Sequence, residues 1–241
     1  LLHAFIAGAV MDGNRVRGVI VEGKSGRMAV LGKVVVDATG DADVCYAAGA
    51  PVQKGREKDG KMMGVSLHMD ANGVQPAPLW DYVHAHPDDV PRWGRLIPAD
   101  GSPFPAHLDM MRFACQGFQR SMGAAKARGE LYFTQGELGI KPRMGAGQVR
   151  LNVTRVEADG TEITGLTYAQ LELRKQAFSV IAFLRREIPG FQAAYISHVA
   201  PEVQTRETRR IVGDYVMTAQ DVLGAPRSRG ADVLGPPDFP D

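Results

Sequence analysis

Three arginines stand within five residues near the C-terminal end, in Arg206-Glu207-Thr208-Arg209-Arg210. Guanidinium groups hold carboxylates through paired hydrogen bonds and stabilise negative charge on a substrate or ring. If the stretch is helical, all three share a face; if it is extended, Arg206 and Arg210 do. A solvated turn with Glu207 and Asp214 as ionic partners is the plainer alternative, since lone surface pairs are worth little. His198 ends an apolar stretch just before Ala200-Pro201. Its side chain suits proton transfer near neutral pH, and a structural role competes with that.

A second constellation is acidic. Lys33 to Pro51 reads KVVVDATGDADVCYAAGAP. Asp37, Asp41 and Asp43 lack the later bidentate glutamate of a calcium loop. Read as helix chemistry, Asp41 is an N-cap and acidic charge is favoured at the start of an alanine-rich helix over 41–48. Ala38, Thr39 and Gly40 need another reason. They are three small residues at the end of an apolar strand, the edge where ligands of open α/β sheets lie. Gly40 lets a bulky group approach the main chain without meeting a Cβ.

Gly18-Val-Ile-Val-Glu-Gly23-Lys24-Ser25 matches the phosphate-loop pattern letter for letter. That pattern needs a flexible loop and then a helix, so that backbone N–H groups curl around phosphate. Here Val, Ile and Val prefer a strand, and another strand follows, so a hairpin turn is expected. Asn152-Val153-Thr154 fits a glycosylation acceptor with nothing else pointing to secretion. His68, His84, His86 and His107 lack metal-ligand spacing. Cys45 and Cys115 form neither a CxxC nor a disulfide framework, which makes a reducing cytoplasm the expectation. Met62, Met63, Met110 and Met111 read as core fillers.

Several elements must position these residues. Leu1 to Val10 reads as a strand, Arg15 to Glu22 alternates, and Arg27 to Val36 returns across a Gly-rich turn as an antiparallel hairpin. Val34 to Val36 is continuous, as in a strand covered on both faces. Gly55 to Gly64 is a polar loop, and Pro76 to Pro105 reads as mostly irregular. The spacing of Met111, Ala114, Phe118, Met122 and Ala125 predicts a helix over 107–129. Thr167 to Gln170 has the form of a capping box. The helix after it puts Leu171, Phe178, Ile181, Ala182 and Arg185 on one stripe and ends at Pro189-Gly190. Gln148 to Val156 alternates like a strand with Asn152 and Thr154 on one face and Arg155 opposite, and Ala194 to Val199 reads as another strand.

The chain has 241 residues, 44% hydrophobic and 23% charged, with a formal net charge of +1. This is the composition of a soluble globular protein with a real core. It carries no nucleic-acid footprint and no apolar run of the roughly 18 residues a membrane span needs.

RVRGVIVEGKSGRMAVLGKVVVDATGDADV, followed by Ala-Gly-Ala-Pro, resembles the middle of FAD-dependent oxidoreductases with the glutathione-reductase-like fold. A second similar block runs from Arg206 to Tyr215, with Thr218 and Asp221-Val222. The resemblance implies an α/β fold, α+β within this piece. A partial FAD-binding Rossmann-like domain with a β-meander would occupy 1–50, and a substrate or cap domain with a sheet, two long helices and an irregular loop 51–241. It implies FAD as cofactor, with Ala38, Thr39 and Gly40 at the flavin nucleotide, Asp41 capping the next helix and Ile6 near the adenine. Arg206, Arg209, Arg210 and His198 become the catalytic candidates. The family's Gly-x-Gly-x-x-Gly opening is absent, and Gly145-Ala146-Gly147 ends in Arg150 before a strand. The late segment that returns to the flavin is absent too. The chain therefore reads as an internal piece, expected to be inactive by itself. Its expected partners are a small-molecule substrate, with a weak pointer to an anionic one, and an unassigned electron acceptor. The competing class is a cofactor-free binding module, and the phosphate-loop letters at Gly18 to Ser25 leave a nucleotide-binding hydrolase as a weaker third.

Overall fold

The computed structural model describes residues 1–95, 113–143, 145, 147–215 and 217–218. The chain divides into two compact units, Leu1–Gln53 with the chain from Arg209 onward, and Lys54–Thr208.

In the first unit, β1 (Phe5–Asp12), β2 (Arg15–Gly23) and β3 (Gly26–Leu31) form an antiparallel sheet in that order. Gly23 pairs with Gly26 across Lys24-Ser25, and Gly26 has φ +98°. That φ is open to glycine without strain, so the phosphate-loop letters make a hairpin turn. A Cβ on Gly18 would stand 2.2 Å from the Val30 carbonyl oxygen, so this glycine serves strand approach. The return strand stops at Leu31. Val34 and Val36 are each 82% exposed, against the expectation of a strand covered on both faces. No described strand pairs with this stretch, and a strand keeps its ladder only beside a neighbour. Helix α1 (Asp43–Ala47) follows, then β4 (Val52–Lys54).

The second unit is built on β5 (Met69–Asn72), α2 (Pro76–Ala85), β6 (Arg92–Arg95), β7 (Phe113–Gly117), α3 (Gln119–Ala127), β8 (Leu138–Pro142), β9 (Val149–Asn152), α4 (Ile163–Glu187) and β10 (Tyr195–Val199). The strands make one antiparallel sheet in the order β10-β5-β9-β8-β7-β6. In the first unit, the last described strand, β11 (Arg209–Ile211), pairs with β4. Met69, Leu151, Ile140 and Leu138 join Leu79, Met122, Val180 and Leu184 from the helices in one core. Helices therefore cover one face of the sheet, and the alternate strand positions form the other. No helix among the described residues is long and apolar enough to cross a membrane.

Several expected elements differ. Pro76–Ala85 is helical because proline is tolerated in the first helical turn, where its missing N–H has no partner to lose. The predicted helix over 107–129 begins outside the described residues, and its described part is a strand and then a shorter helix. Phe118, fully buried with φ +64°, marks the break. Helix α3 is capped from a distance, since Asp89 Oδ1 accepts from the Arg120 amide at 2.7 Å. Helix α4 begins four residues before Thr167, so the capping box lies inside it, and Gln170 instead donates to the Pro201 carbonyl at 2.7 Å. Its buried stripe is Ala169, Leu173, Ala177, Val180 and Leu184. Leu171 and Phe178 are 61% and 65% exposed, because two residues of offset turn a helix by about 200°.

Thr154 also departs from simple alternation. It is buried, and its hydroxyl donates to the Leu67 carbonyl at 2.7 Å and accepts from the Leu67 amide at 3.0 Å. Thr154→Val keeps the shape and strands a buried N–H. Its expected cost in chemical denaturation is about 1–2 kcal/mol.

Candidate functional site

The acidic turn is a closed hydrogen-bond circuit. Asp37 Oδ1 accepts from the Thr39 amide at 3.0 Å and its hydroxyl at 2.7 Å. Asp37 Oδ2 accepts from the Cys45 amide at 2.9 Å. The Thr39 hydroxyl oxygen in turn accepts from the Asp43 amide at 2.9 Å. Thr39, rather than Asp41, therefore serves the start of α1, while Ala42 takes the cap position in the left-handed region at φ +54°. Asp41 stands one residue before the cap position, and its carbonyl accepts from Arg209 Nη1 at 3.4 Å. Gly40 has φ +81°, and a Cβ placed on it would meet nothing within 4 Å. Ala38 and Gly40 are exposed. The result is a bare stretch of main chain, fixed from behind by two side chains and open in front.

Burial alone would raise the Asp37 carboxyl, but the amides of Cys45 and Thr39 and the Thr39 hydroxyl outweigh it and hold it at about 2. A folded pKa below the ordinary carboxyl value of 3.8 stabilises the fold above that pH, and the contribution is lost as pH falls toward 2. Asp37→Asn is accordingly expected to flatten the acid limb of the unfolding curve between about pH 4 and 2, read by circular dichroism.

Arg209 locks the same turn. Its Nη1 lies 2.6 Å from Asp43 Oδ1 and donates to the Asp41 carbonyl at 3.4 Å, and its guanidinium sits 4.3 Å from the Tyr46 ring centre. Its side chain is 13% exposed. Arg210, its neighbour on the strand, is exposed. Arg206 belongs to the other unit, where its Nη2 donates to Ser66 Oγ at 3.1 Å. The stretch is extended around Arg209 and the three arginines do not act as one patch within a unit. Ile6 is half-buried on β1 opposite Val21, beside a register shift. His198 is exposed on β10, paired in register with Asp70. Glu207 accepts from the Met63 amide at 2.8 Å. Asp221 and Val222, part of the second block of resemblance, lie outside the described residues.

The profile of the FAD dependent oxidoreductase family matches residues 1–238, and the chain belongs to that family. FAD is the cofactor of the family. The bare corner at Ala38–Gly40 fits such a group, since a dinucleotide needs backbone free of side chains to lie against. Among solved structures, the chain is similar to a triple mutant of the flavin-dependent brominase Bmp2, at 15% identity and a TM-score of 0.43. That similarity covers 88% of this chain and 41% of the brominase chain, so this chain spans about two-fifths of that protein. No curated protein matches the sequence.

Proposed function

We propose that the chain is the central portion of a flavin oxidoreductase acting on a small anionic organic molecule, and that the turn Ala38–Asp41 receives the flavin nucleotide. One observation carries the reading: a positive-φ glycine with open space in front of it, held by Asp37, Thr39 and Arg209 behind it. Bound FAD supplies the redox chemistry. The residues of this chain supply position and charge. Asp37 and Arg209 keep the corner in shape before any ligand arrives. Ile6, on the first strand of the same unit, is assigned to the adenine side. Arg206, Arg210 and His198 are assigned to charge stabilisation and proton transfer, on the chemistry of guanidinium and imidazole groups.

The full-length protein is expected to purify yellow, with a flavin spectrum and stoichiometric FAD released on denaturation. A colourless preparation that takes up no added FAD would favour the cofactor-free binding module.

A further inference from the structure

The face of the six-stranded sheet that the helices leave uncovered is polar and positively charged. Paired residues in an antiparallel sheet project to the same side. Gln116, Gly139 and Asn152 therefore form one cross-strand row, and Lys141, Arg150, Asp70 and His198 the next. Asn152 hydrogen-bonds His68, and Arg150, Arg206 and Lys141 bear on that imidazole. Burial and these three cations push the His68 ring below its usual pKa, so the surroundings oppose one more positive charge.

A cavity of about 470 Å³ opens on this face, lined by Arg92, Gln116, Glu137, Gly139, Lys141 and Asn152 among others. Gly139 is the gap in the row. A Cβ there would make only ordinary contact with Asn152, at 3.6–3.7 Å, so the strand itself does not require glycine. Glycine inside a strand marks a place where something else comes close to the backbone. Glu137 is already engaged by three donors, with Arg92 at 2.6 Å, Gln116 at 2.7 Å and Gln119 at 2.6 Å. Lys141 is exposed and has no acidic partner among the described residues. The lining thus holds the Arg92–Glu137 ion pair and, beyond it, the Lys141 cation, with amides and the apolar residues Pro91 and Ala114 beside them.

We propose that this cavity is the substrate site, and that it takes an organic carboxylate with an apolar portion. The carboxylate lies against Lys141 and the Asn152 amide, and the apolar portion lies over Gly139 toward Pro91 and Ala114. The substrate role rests on the flavin reading above, and the binding itself does not.

The test uses the flavin-loaded full-length protein and a fixed probe set of benzoate, phenylacetate and succinate, with benzamide and phenylacetamide as uncharged counterparts. Saturation-transfer NMR finds binding and calorimetry gives Kd. At least one carboxylate is expected to bind, and its amide not. Lys141→Gln, at an exposed position, is expected to weaken Kd by about tenfold or more. Gly139→Leu is expected to abolish binding by filling the gap, and Gly139→Ala to weaken it less. The flavin spectrum of every variant is expected to match the parent. No binding by any carboxylate, equal binding of the amides, or an unchanged Kd in Lys141→Gln and Gly139→Leu would each overturn the proposal. A parent protein without flavin would overturn the flavin reading instead, and the binding result would still be scored.

Discussion

Gly40→Val is expected to strip FAD from the full-length protein, lowering flavin occupancy at least tenfold at equal protein concentration. Two effects act together. The residue has φ +81°, where a β-branched side chain is strained by about 1–3 kcal/mol. The isopropyl group would also occupy the open space that now meets nothing within 4 Å. Strain alone lowers stability, whereas filling the space excludes the ligand. Gly13→Val separates them, because Gly13 has φ +56°, also with nothing within 4 Å, but sits in the β1–β2 turn. That variant carries comparable strain and is expected to keep its flavin. Equal flavin loss in both variants would mean that the first unit had simply loosened.

Arg209→Ala is expected to cost about 2–3 kcal/mol of stability in the first unit and to reduce flavin affinity in parallel. Removing one partner of a buried pair costs about 3–5 kcal/mol. The lower figure applies because Asp43 is 44% exposed. The loss includes the ion pair, the hydrogen bond to the Asp41 carbonyl and the stacking on Tyr46. Arg209→Lys keeps the charge but not the flat fork, and is expected to recover less than half of the loss. Because Arg209 works through the turn, the full-length enzyme should show weakened flavin retention with little change in KM for substrate at saturating FAD. A large KM increase with unchanged flavin affinity would instead place its guanidinium on the substrate.

How much of this was legible beforehand depends on what each signal measures. The hairpin over 15–31 was readable because alternation and Gly-rich turns are local properties, and the helical run ending at Pro189-Gly190 was readable for the same reason. Val34 to Val36 was readable as apolar but not as exposed, since burial depends on neighbouring strands. Thr39 as the partner of Asp43 was hidden behind three aspartates, which are the stronger capping residues by type. The arginines were visible as a group, yet their ion pairing is a tertiary fact. Arg209 reaches an aspartate 166 positions away in sequence. Lys141 and Gly139 were missed altogether. Leu138 to Pro142 alternates buried and open positions over only five residues, and its last member is a proline, which reads as a loop. The alternation of LGIKP was the one signal that could have found them.

In the function proposed, FAD lies against the corner at Ala38–Asp41. Hydrogen–deuterium exchange of the full-length protein, with and without FAD, tests it most directly. Peptides spanning 36–46 are expected to gain the strongest protection on FAD binding within the first unit, while those spanning the β1–β2 turn at 11–16 stay unchanged. FAD binding that leaves 36–46 exchanging at its apo rate would contradict it.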